Sequence, residues 1–184
     1  MTDTDLTAIL DEDPETSAAR AAQPGAPAAE IGALLAVLAS SARSVVEVGS
    51  AGGVTGRWLL RGMPDRGILT SLEPQRDVHD RTSVALATAA ADGRARPIQG
   101  DAATVLGRLA DDGYQLVLLQ TPPATLADLL AESFRVLAPG GVLIARRVLA
   151  DDTVDQTTFL SEVRDAATSF TLLPIDDGLL VAKI

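Results

Sequence analysis

The sequence predicts an α/β sandwich in which a mostly parallel sheet carries helices on both faces and ends in an antiparallel hairpin. Three observations carry that expectation. Short apolar, β-branched runs alternate five times with stretches whose apolar residues recur at helical spacing. Residues 44–60 read as a buried strand, a glycine turn and the start of a helix. The chain closes on two apolar runs, 170–175 and 179–184, joined by Asp176-Asp177-Gly178, a turn short enough for a hairpin.

Composition bounds the class. With 184 residues, 47% apolar and 22% charged, the chain is expected to be one globular domain with a substantial core. It has no cysteine, which excludes disulfides and thiolate metal sites. The net charge of -10 argues against a nucleic-acid partner, because phosphate binding needs clustered Lys and Arg. Lys183 is the only lysine, so the positive charge is almost all arginine. The start is acidic, without the basic and apolar regions of a secretory signal. No apolar run reaches the ~20 residues that span a bilayer. A cytoplasmic protein without a membrane partner is the expectation.

Residues 1–27 differ from the rest. Asp3, Asp5, Asp11, Glu12 and Asp13 are acidic, Leu6, Ile9 and Leu10 suggest a short helix ended by Pro14, and Ala, Gln, Pro and Gly dominate 18–27. The thin apolar content favours a mobile tail over an arm laid across the body. Residues 28–184 form the expected domain. Ile31, Leu34, Leu35 and Leu38 mark a helix leading into the strand at Val45. Thr55 is placed to cap the helix carrying Trp58, Leu59 and Leu60. A second strand, 68–72, ends in Glu73-Pro74, and a helix follows over 75–91 until Asp92-Gly93. A third strand, 95–98, leads to Gly100-Asp101-Ala102 and to helical spacing at Val105, Leu106 and Leu109. A fourth, 114–119, stops at Pro122-Pro123. The helix over 126–137 is closed by Pro139-Gly140-Gly141, a fifth strand runs over 142–145, and a last helix over 159–167.

In such a sheet, ligands bind beyond the carboxyl ends of the parallel strands. The turn Gly49-Ser50-Ala51-Gly52-Gly53 departs from the G-x-G-x-x-G spacing that cradles a pyrophosphate. Glu47, two residues before Gly49, would repel a pyrophosphate but suits a ligand bearing an ammonium and a sulfonium, such as S-adenosylmethionine (SAM). Glu73, at the tip of the second strand, suits ribose hydroxyls. Asp101 suits an adenine amino group, and the backbone N–H of Ala102 a ring nitrogen. Each has a plainer reading: glycines for packing, a solvated strand end, an N-cap. Three acids at the tips of three successive strands favour the ligand.

Glu-Val-Gly-Ser-Ala-Gly-Gly-Val-Thr, Ser-Leu-Glu-Pro and Gln-Gly-Asp-Ala resemble the successive SAM-binding motifs of Rossmann-like class I methyltransferases. Together with the closing segment Leu173-Pro-Ile-Asp-Asp-Gly-Leu-Leu-Val-Ala-Lys183, they are most similar to the catechol and caffeoyl-CoA type O-methyltransferases. The resemblance covers residues 28–184. It implies a three-layer sandwich with a seven-stranded sheet, SAM as methyl donor, a small hydroxylated acceptor and a homodimer. By the same mapping, Glu47, Gly49, Ser50, Gly53, Glu73, Asp101, Ala102 and Gln120 hold the cofactor, with Glu47 and Gly49 at its methionine end.

The chain departs from that family at the chemistry. Metal-using members carry acids after strands four and five. This chain has Gln120-Thr121-Pro122-Pro123 and Arg146-Arg147 there, and the family's catalytic lysine is also missing. Magnesium wants anionic oxygen ligands, so no metal is expected, with Asp151 and Asp152 the remote substitutes. Arg146 or Arg147 suits a carboxylate or phosphate on the acceptor. Strand alternation lets only one of them face the pocket. The alternative is surface ion pairs with Asp151 or Asp152. No general base is evident. His79, the only histidine, lies on a helix away from the site, and Trp58 and Tyr114 read as packing residues. Two function classes follow: a metal-independent SAM-dependent methyltransferase acting on a small molecule, or an inactive SAM- or nucleoside-binding regulator on the same scaffold. A dehydrogenase is a distant third, because the glycine turn does not fit a pyrophosphate.

Overall fold

The computed structural model describes residues 8–90, 92–150 and 154–184, with the side chains of 154 and 155 excepted. The strands are β1 (Ser44–Val48), β2 (Ile68–Glu73), β3 (Ala95–Gln99), β4 (Tyr114–Leu119), β5 (Leu137–Ala145), β6 (Ser169–Leu173) and β7 (Leu179–Lys183). The helices are α1 (Pro14–Ala22), α2 (Ala29–Ala39), α3 (Val54–Gly62), α4 (Arg76–Ala89), α5 (Ala102–Leu106), α6 (Leu126–Val136) and α7 (Val154–Ala166). The seven strands form one sheet in the order β3-β2-β1-β4-β5-β7-β6. The first five are parallel, and β7 runs antiparallel to both β5 and β6. This is the Rossmann-like three-layer sandwich that the resemblance implied.

Each face of the sheet has its own core, because alternate residues of a strand point to opposite faces. Val46, Val48, Val117, Leu119 and Leu143 pack with Leu106, Leu129, Leu130 and Phe159 of the layer built from α5, α6 and α7. Val45, Leu69, Leu116, Leu118 and Ile144 pack with Leu35, Leu59 and Leu86 of the layer built from α2, α3 and α4. The chain winds outward from β1 through β2 to β3, then crosses back to β4. The crevice between the tips of β1 and β4 is therefore the switch point where such sheets bind ligands.

Four local expectations change. Thr55 is not an N-cap. Gly53 stands at that position in the left-handed region, and Thr55 lies inside α3. The helix before β5 stops one residue earlier than expected, and β5 starts at once, running through Pro139-Gly140-Gly141 with a register shift against β4. The last helix begins before Phe159, at Val154.

The fourth concerns the amino-terminal segment, expected as a mobile tail. Its described part, residues 8–27, is an arm laid across α3 and α4. Proline at the first helical position is favourable, and Asp13 caps α1 by accepting from the Thr16 N–H at 2.9 Å. Arg57 of α3 then reaches Thr16 Oγ1 at 2.6 Å and Asp13 at 2.7 Å, and pairs with Glu15 at 3.0 Å. Leu6 and the acids before it lie outside the described residues, as do Asp151 and Asp152.

Candidate active site

A cleft of about 530 Å³ opens at the switch point. Its floor is the turn after β1. Gly49 has φ +82, and a Cβ there would stand 2.7 Å from the backbone oxygen of Gln120. Only glycine lets the tips of β1 and β4 approach so closely. Gly49, Ser50, Glu73, Ala102 and Gln120 line the cleft, as five of the eight residues expected at the cofactor do.

Glu73 is buried, with its carboxylate at the cleft wall. Oε2 accepts from the Ser50 backbone N–H at 3.1 Å and from Ser50 Oγ at 2.8 Å. Oε1 accepts from the Gln75 N–H at 3.1 Å. The carboxylate thus ties the tip of β2 to the turn after β1, and with three of its about four acceptor positions taken it keeps one, on Oε1, for a ligand.

The other three expected cofactor residues do not line the cleft. Glu47 shares a face with Val45, because strand alternation points both toward α3. It is wholly buried, accepting from Ser71 Oγ at 2.6 Å and Thr55 Oγ1 at 2.7 Å. Burial pushes its carboxyl up to about 7, with the neighbouring Glu73 adding to the rise and the two hydroxyls opposing it. Gly53 has φ +91 and packs on α4, where a Cβ would stand 2.7 Å from Ala85 Cβ. Asp101 is exposed and caps α5, accepting from the Thr104 N–H at 2.9 Å and from Thr104 Oγ1 at 2.7 Å. Those bonds hold its carboxyl below the usual range.

Both arginines line the cleft, contrary to the alternation argument. Arg146 follows the end of β5, and Arg147 takes φ +57, so the strand pattern stops between them. Their acidic partners come from the hairpin turn. Arg146 is buried and donates Nε to Asp176 Oδ2 at 2.5 Å and Nη2 to Asp176 Oδ1 at 2.8 Å, a two-pronged pair. Arg147 lies 3.5 Å from Asp177, and the two side chains are about half and two-thirds exposed.

A partly buried relay joins these groups. Arg146 Nη1 donates to Gln120 Oε1 at 2.6 Å, and Gln120 Nε2 lies 2.6 Å from the Gly49 carbonyl and 2.8 Å from Thr55 Oγ1, which donates to Glu47. Sequence reasoning missed Thr55, Ser71 and Asp176 as its members. It also missed Gln23, Pro24 and Gly25 of the arm, which close the cleft on one side. Thr121 Oγ1, beside Gln120, is buried and has no hydrogen-bond partner. His79 is absent from the lining, and Trp58 packs against Gly32 of α2. Among the described residues, no three His, Cys, Asp or Glu side chains gather to hold a metal ion, and no helix is long and apolar enough to cross a membrane.

The sequence matches a family model described as a methyltransferase domain over residues 46–145. A provisionally named O-methyltransferase of Mycolicibacterium vanbaalenii is 37% identical over 156 residues, covering 78% of this chain and 69% of that one. Cofactor-bound Rv0187 from MTB superposes with a TM-score of 0.85 at 25% identity, covering 100% of this chain and 98% of its own. The O-methyltransferase TomG from Streptomyces achromogenes, solved with SAM, shares the fold with a TM-score of 0.86 at 21% identity, covering 99% and 95%. Cleft position, glycine turn and sequence kinship agree: the chain belongs to the class I SAM-dependent methyltransferases, in their O-methyltransferase group.

Proposed function

We propose that this protein transfers a methyl group from SAM to an oxygen of a small acceptor, without a divalent metal. The observation that supports it most is the pairing of a close-approach glycine, Gly49, with a buried carboxylate, Glu73, in one cleft at the switch point. The cleft's volume lies in the ~300–1,000 Å³ range of small-molecule sites. The residues present fit the cofactor. Glu73 offers its remaining acceptor position to a ribose hydroxyl, Ala102 and Gln75 stand on the adenine side, and Gly49, Ser50 and Gln120 stand at the amino-acid end. SAM supplies an electrophilic methyl on a positively charged sulfur.

The rest of the task belongs to the chain. Methyl transfer needs the acceptor oxygen aligned with the methyl group and water kept away. Gln120 is held rigid by Arg146 and Gly49, which fixes the wall between the two ligands. Pro122 and Pro123 and the arm residues Pro24 and Gly25 narrow the entrance. No imidazole or amine stands among the described lining residues to take a proton. A phenolic acceptor hydroxyl, acidic enough to pass its proton to water, suits such a lining. The metal positions of the resembling family are occupied here by a neutral amide, Gln120, and by Arg146, whose cationic head is already paired with Asp176. Such a set offers a divalent cation no free anionic oxygen. The reading extends to a cytoplasmic enzyme that avoids nucleic acid, on the strength of its acidity, and to a homodimer, on the strength of its family.

A radiolabelled methyl-transfer assay over catechols, phenols and hydroxybenzoates, run with magnesium and with EDTA, tests the proposal. Equal turnover under both conditions is expected. Turnover that vanishes with EDTA refutes the metal-free mechanism. Tight SAM binding with no methylation across the panel favours an inactive binding protein.

A further inference from the structure

We propose that the acceptor carries a carboxylate, held at the end of the cleft by Arg147 with help from Arg146. The inference rests on the methyltransferase reading and names the substrate class of that same cleft. In a chain of net charge -10, two arginines stand side by side on the cleft wall. Glu73 is the only carboxylate among the described lining residues, and its oxygens are turned to Ser50 and Gln75. With Arg146 and Arg147 set against Asp176 and Asp177, the arginine end is close to neutral in an otherwise acidic molecule, so an anion meets less repulsion there than elsewhere.

The two arginines divide the work. Arg146 is locked. Three of its five N–H groups go to Asp176 and Gln120, and its charge is largely met by Asp176. Two N–H groups, one on each Nη, have no partner among the described residues. Arg147 is the free charge. Its pair with Asp177 is long, at 3.5 Å, and exposed, so it contributes little and yields to a better-placed anion. Its left-handed backbone, φ +57, is what turns the side chain toward the cleft beside Gly25, where a Cβ would lie 3.5 Å from Arg147 Nη1. Thr121 also lines the cleft, but its hydroxyl oxygen is closed off from the cleft space and takes no part in the anion site. A planar carboxylate matches what the arginines offer: a fork from the Arg147 guanidinium and a single N–H from Arg146.

The same chemistry is present in the amino-acid carboxylate of SAM, so the test separates the two sources. The preformed complex with S-adenosylhomocysteine (SAH) is titrated calorimetrically with 3,4-dihydroxybenzoate and with catechol, using wild type, Arg147→Gln and Arg147→Lys. SAH affinity is measured for each protein, and each probe is also titrated against the free protein. The carboxylate-bearing probe is expected to bind at least about tenfold more tightly than catechol. Arg147→Gln removes most of that preference, Arg147→Lys restores part of it, and SAH affinity moves less than about twofold. Three results overturn the inference: catechol binding as well as the acid, neither probe binding up to about 10 mM, or Arg147→Gln weakening SAH as much as it weakens the acid. Failure of wild type to bind SAH refutes the methyltransferase reading instead. In that case, Arg147-dependent capture of the acid by the free protein still supports an anion site, and its absence removes both.

Discussion

Replacing Glu47 by glutamine probes the relay, and its effect can be worked out from the structure. Glu47 is wholly buried, and its carboxyl is raised from 4.5 to about 7. Moving between those values corresponds to about 3 kcal/mol, at roughly 1.4 kcal/mol per pH unit. Below about pH 4.5 the group is protonated in both the folded and the unfolded chain. Between there and about 7 the unfolded chain ionises and the native one does not, so folding weakens as pH rises; above about 7 the loss is complete. Glutamine imitates the protonated form. It still accepts from one hydroxyl and donates to the other, while Thr55 Oγ1 turns to the Ser50 carbonyl 3.3 Å away. The stability of Glu47→Gln minus that of wild type should therefore grow by about 3 kcal/mol from about pH 4.5 to about pH 8. Urea unfolding followed by circular dichroism across that range measures it. A difference that stays flat, or a variant that loses ground at high pH, would refute the reasoning and mean that the native carboxyl is ionised.

Asp176→Asn leaves the buried Arg146 guanidinium without its counter-charge, and removing one partner of such a pair costs about 3–5 kcal/mol; urea unfolding should show it, with a smaller loss in Asp177→Asn, whose pair is exposed. Gly49→Ala should both destabilise the fold, by at least the ~1–2 kcal/mol of a left-handed alanine, and lower SAH affinity by forcing Gln120 aside. Gly93→Ala is its control: φ is +76 but nothing lies within 4 Å of an added Cβ, so only the stability loss is expected in thermal melts and SAH titrations.

What the sequence discloses depends on how local the physics is. The parallel sheet, the glycine turn and the acid at the tip of β2 are written in short runs, and the structure places Gly49, Ser50, Glu73, Ala102 and Gln120 together on the cleft. The face of Glu47 was also legible, since it alternates with Val46 and Val48, but the attraction of an acid for a sulfonium outweighed the period of the strand. The α1 arm had its signals too, Asp13 as cap and Pro14 at the first position, masked by the surrounding Ala and acidic residues. The pairing of Arg146 with Asp176 is different. It depends on β7 returning antiparallel to β5, with Ala145 opposite Leu180, which brings the hairpin turn to the strand tip. No local pattern announces a contact made thirty residues later. Nor does strand periodicity announce that it fails at Arg147, where the backbone turns left-handed.

The central claim is a SAM site organised by Glu73, and calorimetric titration of SAH into wild type and Glu73→Gln, with and without magnesium, tests it most directly. Wild type should bind, and magnesium should change nothing. The variant loses the charge, and its amide nitrogen must face the backbone N–H of either Ser50 or Gln75, which both now bond to the carboxylate, so its affinity should fall by about tenfold or more. Equal binding by the two proteins, or none by wild type, would contradict the account.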